Sequence, residues 1–379
     1  TDECFPVIYL IFVKFGYHKI TKMFNLWCIF FHSIFYVLQV YYIIIKFNQS
    51  FLMKHLFVMT MFLYMIYAMI YLAICEKSYN EQSSSFHKFA WSIDSAGLKA
   101  KQTILDKAAM SNMINYISLL LAVFSVVINL PIWGKERELF LSVEVFEYIF
   151  GKWSKIPYTI YFATVPYLAY ATFRLSFMLL YCILQIQIQI FLVNEQILQI
   201  SDNFTDLNNW DIIDDLSYQN TMHQRLSQNC RQHYEIKRLI TILYQVVESA
   251  TPFILGIGVL LTISLFFFIL DNFFSMSNML KIRIFTLLIC NIFMITVFCK
   301  AGQDIFEETE RIFDALGTCP WYIWNIRNRR TLLIFMANSI EPFSFYFVGI
   351  TIDYRLAVNV IRTAVSYALV LRSLNEVGQ

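Results

Sequence analysis

Six separate stretches of this chain, residues 23–45, 56–75, 113–133, 158–184, 252–270 and 284–299, are each apolar for about as long as a lipid bilayer is thick. A hydrocarbon core of about 30 Å takes ~20 apolar residues of helix, and inside it every backbone polar group must be satisfied within the chain. A seventh stretch, 356–371, is weaker, because Asn359 and Arg362 interrupt it. No soluble core calls for so many runs of this length. Composition agrees: 58% of residues are hydrophobic and 15% charged, against roughly half and a quarter in soluble domains. The expected fold is an all-α polytopic membrane protein with seven transmembrane helices.

Lysine and arginine set the orientation. The N-terminal segment (Lys14, Lys19, Lys22) and the loops after the second, fourth and sixth spans hold about twice as many as the opposite set. This predicts a cytoplasmic N-terminus and an extracellular C-terminus. No charged segment with a small-residue cleavage site precedes a short apolar run, so a cleaved signal peptide is not expected. G-protein-coupled receptors also have seven helices but run the other way. The chain lacks Asp-Arg-Tyr after the third span and Asn-Pro-x-x-Tyr in the seventh. No expected outer loop holds a cysteine, so no disulfide framework is implied. Nor do the halves of the chain repeat with matched broken helices, as many transporters do. P-loop, GxGxxG, HExxH and CxxC motifs are all absent. No catalytic residue, cofactor, metal or nucleic-acid partner is expected, and the chain is not read as an enzyme.

The connecting segments carry more detail. Residues 76–112 read as a polar loop with helices extending the spans. Residues 134–157 carry Phe140, Val143, Val145, Phe146, Ile149 and Phe150 among charges. Such a loop folds back on the bundle, either as plain packing or as a lid. The stretch ILQIQIQIFLV alternates like a strand, but it continues a span without a breaker and is read as helix, with Gln185, Gln189 and Gln196 near one stripe. Residues 201–219, with Asp202, Asp206, Asp211, Asp214 and Asp215, read as a solvated loop. Residues 226–256 read as one helix running into the fifth span. The sixth span flows into 300–317, where Ile305, Ile312, Phe313 and Leu316 are expected on one face. Glu307 and Glu308 with Arg311 read as local helix support. Several helices therefore leave the membrane on the N-terminal side, which suits a subunit interface. Asn48 begins a glycosylation sequon close to two spans, and Asn203 begins another on the cytoplasmic side.

On the final helix, Val360, Thr363, Tyr367, Val370 and Leu374 fall on one stripe, with Ser366 and Ser373 beside it. That narrow, mildly polar face suits a water-filled symmetry axis, where apolar rings gate by dewetting. A packed helix within a monomeric bundle is the other reading of these residues.

Four stretches resemble the insect odorant receptor family: CRQHYEIKRLI (230–240), FCKAGQDIFEETERIFDALGTCPWYIWN (298–325), RNRRTLLIFMANSIEPFSF (327–345) and RTAVSYALVLRS (362–373). The ending is similar to the odour-tuning subunits, with Ser366-Tyr367 followed by apolar residues and Leu-Arg-Ser. Ser373 stands near the position where co-receptors and gustatory receptors carry glutamine. The resemblance implies an odorant-gated, non-selective cation channel, a heterotetramer with the odorant receptor co-receptor, in the plasma membrane of olfactory neuron dendrites. It implies a gate at Val370 and Leu374, with Ser373, Tyr367 and Arg372 in the pore segment, and a cytoplasmic anchor containing Trp321 and Tyr322. A volatile organic odorant would bind between spans two, three, four and six in the outer half. There the sequence offers Val58, Phe62, Phe124, Val127, Trp133, Tyr158, Tyr161, Phe162, Val165, Leu287 and Leu288, an apolar and aromatic set. Four copies of Arg372 at the pore mouth would repel cations, so the chain is expected to conduct as a minority subunit. The expected organisation is 1–199 (N-terminal segment and spans one to four), 200–250 (cytoplasmic loop and anchor helix), 251–300 (spans five and six), 301–345 (anchor region) and 346–379 (pore helix). A gustatory-type channel and a metabotropic seven-helix receptor are the alternative functions.

Overall fold

All but one of the apolar runs read from the sequence lie inside a helix longer than the run itself; the run 113–133 outlasts its helix, which ends at Asn129. In the computed structural model, which describes residues 4–133, 137, 139–200, 213, 215–248, 251–347 and 350–377, the chain is almost wholly helical. In order the helices are α1 (Pro6–Ile8, continued by a π-helix, Tyr9–Lys14), α2 (Lys19–Ile45), α3 (Gln49–Phe89), α4 (Gly97–Asn129), α5 (Leu141–Phe150) and α6 (Lys155–Leu198). They continue with α7 (Leu216–Glu248), α8 (Thr251–Asn272), α9 (Asn278–Gly317) and α10 (Ile326–Ser339), then the two-residue strands β1 (Tyr346–Phe347) and β2 (Ile350–Thr351), and α11 (Tyr354–Val377). The strands pair antiparallel. Seven helices, α2, α3, α4, α6, α8, α9 and α11, are long and apolar enough to cross a bilayer. Polar caps begin several of the helices: Ser277 accepts from Leu280 N at 3.3 Å, Asn325 from Asn328 N at 3.0 Å, and Asp353 from Leu356 N at 2.9 Å.

The alternating stretch is helix, inside the 44 residues of α6. Its glutamines fasten the polar end of the bundle. Gln189 Oε1 accepts from Trp91 N at 2.8 Å and from Gln232 Nε2 at 3.1 Å, and Gln189 Nε2 donates to Trp91 O at 3.2 Å. Gln196 donates to Ser95 O at 2.8 Å. At the other end of the same helix, the segment read as folding back does so: Phe140, Val143, Val145 and Phe146 of α5 and its entry are buried, while Ile149 and Phe150 are exposed.

Several expectations are corrected. The loop read over 201–219 ends earlier, because Asp215 Oδ1 accepts from Ser217 N and Tyr218 N and starts α7 at Leu216. Asp202, Asp206, Asp211, Asp214 and the Asn203 sequon lie outside the described residues. The run read as one helix across 226–256 is helical on both sides of residues 249–250, as α7 and α8, and those two residues also lie outside the described ones. Phe313 leaves the buried stripe of α9, since it sits roughly 80° around the helix from Ile305, whereas Ile305, Ile312 and Leu316 are fully buried. Glu308 is more than local support: buried, it takes Lys107 of α4 at 2.6 Å and Arg311 at 3.2 Å, and its carbonyl accepts from Asn194 of α6 at 2.7 Å.

The polar end is a packed module of α7, α10 and the ends of α6 and α9. Trp324 is fully buried and donates to Tyr218 Oη at 3.2 Å. Gln219 Nε2 donates to Ile323 O at 3.0 Å, and its Oε1 accepts from Asn325 N and Asn328 Nδ2, both at 2.9 Å. His233 is buried between the rings of Phe335 and Phe343, at 5.3 and 5.0 Å. Burial, and secondarily the Lys237 charge, push its pKa down to about 4. An unfolded histidine titrates near 6.5, so between those values the unfolded state binds the extra proton. Stability from neutral His233 is therefore complete above about pH 6.5 and lost as pH falls toward 4. By pH 5 the loss reaches about 2 kcal/mol. The protection factors of α7 and α10 amides, referred to the intrinsic exchange rate at each pH, are expected to fall between pH 7 and pH 5, and His233→Phe is expected to flatten that dependence.

The N-terminal segment is strapped along α6. Tyr170 Oη donates to Ile11 O at 2.8 Å, and Arg174 Nε donates to Phe12 O at 3.0 Å. The Arg174 guanidinium also lies 4.4 Å from the Tyr17 ring centroid. It fills the space a Cβ on Gly16 would need, so only glycine fits there.

Candidate functional site

Near the α5 end of the bundle, α6 presents Tyr158, Tyr161, Phe162 and Val165 at helical spacing, one face of its first turns. Tyr161, Phe162 and Val165 are buried, as are Val58 and Phe62, a turn apart on α3. The structure brings these together. Ring centroids of Phe62 and Tyr161 are 5.5 Å apart, and those of Tyr158 and Phe162 4.8 Å. The folded-back segment closes over them, with Phe140 5.2 Å from Phe162 and Phe146 5.4 Å from Tyr161.

One helix absent from the expected set contributes as much as any. His32 Nε2 pairs with Thr164 Oγ1 at 2.8 Å, Gln39 Nε2 donates to Tyr161 Oη at 3.4 Å, and Phe35 stands 5.0 Å from Phe146. The buried residues of α2 are Thr21, Asn25, Cys28, His32, Phe35, Gln39 and Tyr42, with Ile43 beside them. Those first seven recur at alternating steps of four and three. A regular polar stripe on an otherwise apolar span faces protein rather than lipid, and that was the available signal. His32 Nδ1 and Gln39 Oε1 make no hydrogen bond with described residues. A buried polar atom of this kind carries a desolvation cost of about 1–3 kcal/mol until something meets it. The cluster thus combines packed aromatic rings with a few buried polar atoms, a composition suited to a small, mostly apolar molecule.

The other expected residues lie elsewhere. Phe124 is 53% exposed and Trp133 51%, with Val127 on the same outer side, and the Trp133 indole donates to Val127 O at 3.0 Å. Inward, α4 turns Asn115, Ser118, Ala122 and Ser125, small residues at steps of three and four that allow close helix approach. Leu287 and Leu288 on α9 are partly buried against the core.

The last span buries little. Ala357, Ala364 and Ala368 are buried, with α11 packed on α8 and α9, whereas Tyr367, Val370, Ser373 and Leu374 are exposed and Arg372 is half-buried. Ser373 Oγ donates to Val370 O at 2.8 Å. Trp321 and Tyr322 are exposed on the polar-end module, their carbonyls held by Arg329 at 3.2 and 2.9 Å. Asn48 is exposed at the start of α3. None of the eight cysteines is in a disulfide. Among the described residues no three His, Cys, Asp or Glu side chains are grouped to hold a metal.

The 7tm odorant receptor family model matches residues 48–365. No curated protein sequence matches significantly. Among solved structures, the insect olfactory receptor OR5 from Machilis hrabei in complex with eugenol is similar at a TM-score of 0.72 and 10% identity, covering 98% of this chain and 97% of that one. The structure of the same receptor described without eugenol matches at a TM-score of 0.68 and 12% identity, covering 94% and 90%.

Proposed function

The chain belongs to the odorant receptor family, and from that premise we propose that it is an odour-tuning subunit of a ligand-gated cation channel. A small volatile molecule binds in the α5-end half, against Val58, Phe62, Tyr161, Phe162 and Val165, with α2 supplying His32 and Gln39. Leu287 and Leu288 back the site from α9. The subunit assembles with the co-receptor as a heterotetramer around α11, N-terminus in the cytoplasm, in the plasma membrane of olfactory neuron dendrites. Trp321 and Tyr322 contribute to the cytoplasmic subunit interface. Val370 and Leu374 form its part of the gate, with Ser373 and Tyr367 beside them and Arg372 at the mouth.

The observation that carries the channel reading is the exposed side of α11. Asn359, Arg362, Thr363, Ser366, Tyr367 and Ser373 all lie on it, and a span with that many polar groups suits protein and water better than lipid. The eugenol-bound structural relative supports a small organic ligand.

Whole-cell recording under a panel of volatiles tests the proposal. Rapid inward cation current is expected when the chain is co-expressed with the co-receptor. A slow second-messenger response in place of current would make the receptor metabotropic. Tyr161→Phe removes one polar atom from the ligand site and is expected to raise the half-activating concentration of oxygen-bearing odorants about fivefold. Hydrocarbon odorants of the same size are expected to be unaffected; equal shifts for both would place the hydroxyl outside the site.

A further inference from the structure

Three helices change character at one level. The apolar run of α4 begins near Met113, that of α6 ends near Leu184, and that of α9 ends at Cys299. Just beyond that level, on the polar side, a cavity of about 270 Å³ lies between them. One wall is apolar, including Ile104, Leu184, Ile188 and Phe191. The other carries Lys107, Lys300 and Arg311 facing Asp304, Glu307 and Glu308.

These charges are arranged in matched sets. Buried Glu308 holds Lys107 at 2.6 Å and Arg311 at 3.2 Å, and Asp304 holds Lys300 at 2.9 Å. The Lys107 ammonium also lies 4.4 Å from the Phe191 ring centroid, so its charge sits between the apolar wall and Glu308. A lone anion entering here would meet three carboxylates, and a lone cation three basic groups. Only a molecule carrying both signs gains from both sides. The volume lies just under the ~300 Å³ at which small-molecule sites usually begin, enough for a lipid headgroup but not for a lipid. Leu184 and Ile188 continue the apolar wall toward the bilayer interior, where acyl chains belong.

We propose that this cavity binds the headgroup of a zwitterionic phospholipid, its phosphate toward Lys107, Lys300 and Arg311 and its ammonium toward Asp304 and Glu307. Bound there, the lipid ties α4, α6 and α9 together at the edge of the bilayer. Ile188 lies 27 residues beyond Tyr161 on α6, about 40 Å along the helix, so this site is separate from the aromatic cluster and does not depend on its ligand.

The full-length chain, purified in detergent and stripped of lipid, is offered equimolar short-chain phosphatidylcholine and phosphatidylglycerol, and retained lipid is counted by native mass spectrometry. One phosphatidylcholine per chain is expected, retained about tenfold better than phosphatidylglycerol. The double variant Lys300→Gln/Asp304→Asn leaves net charge unchanged, and Arg311→Gln changes an exposed side chain; each is expected to lower retention about tenfold. Melting temperature with and without lipid separates binding from folding, because a variant that melts like the wild type without lipid should lose the lipid-induced rise. Equal retention of the two lipids by the wild type overturns the proposal, as does wild-type retention in both variants. Should either variant fail to fold, the wild-type preference alone decides.

Discussion

Gly302→Ala is expected to reduce ligand-evoked current more than tenfold while leaving the protein in the membrane. At this point α9 passes the chain just ahead of α11 so closely that an added Cβ would fall on the Ile352 carbonyl oxygen, with the Ile352 side chain 3.1 Å away. A carbonyl oxygen cannot rotate aside as a side chain can. Ile352 N donates to Phe345 O at 2.9 Å, which also holds the segment in place. Overpacking of this kind costs about 1–3 kcal/mol, and relief comes by shifting the start of the last helix, two residues on. Surface labelling beside whole-cell recording checks the outcome. Gly256→Ala and Gly258→Ala on α8 meet open space and are expected to leave surface expression unchanged. Normal current from Gly302→Ala would mean that the last helix tolerates displacement at its root.

Trp324→Ala is expected to be the most destabilising single change in the polar-end module, by about 3–5 kcal/mol. The indole is fully buried, its N–H meets Tyr218 Oη, and its carbonyl accepts from Arg329 Nε at 2.7 Å. Gln219 binds the same turn through Ile323, Asn325 and Asn328, so losing the ring also loosens a buried amide network. Trp324→Phe keeps most of the ring and removes only the hydrogen bond, a loss of about 1 kcal/mol. Thermal melting in detergent is expected to rank wild type, Trp324→Phe and Trp324→Ala in that order. A different order would mean that the module is held chiefly by its exposed polar contacts.

The spans were legible because their length is set by the bilayer, a constraint that acts on each run separately. Even the alternating ILQIQIQIFLV could be assigned, since a strand there has no partner. Composition alone could not say which way each span faces. Phe124, Val127 and Trp133 look like pocket residues, yet helical phase turns Phe124 and Val127 outward and Asn115, Ser118 and Ser125 inward, and Trp133 lies exposed past the end of α4. The polar stripe on α2 was visible in the spacing, and weighing it would have brought His32 and Gln39 into the candidate site. Contacts between distant segments left no periodic signal. The Lys107–Glu308 pair joins residues 201 positions apart, and only the packed bundle shows that Glu308 serves more than its own helix.

The alanine face of α11 has a thermodynamic consequence. A helix held to its own chain mainly by Ala357, Ala364 and Ala368 gains little from dispersion or from apolar burial compared with one packed by leucine. Its settled position then rests on what else covers it, and stabilisation supplied by other subunits obeys mass action. Where receptor chains are sparse in the membrane, this segment, the least buried of the seven spans, is the least firmly placed of them. As subunit density rises it firms, so the geometry of the last helix becomes a property of expression level as well as of sequence.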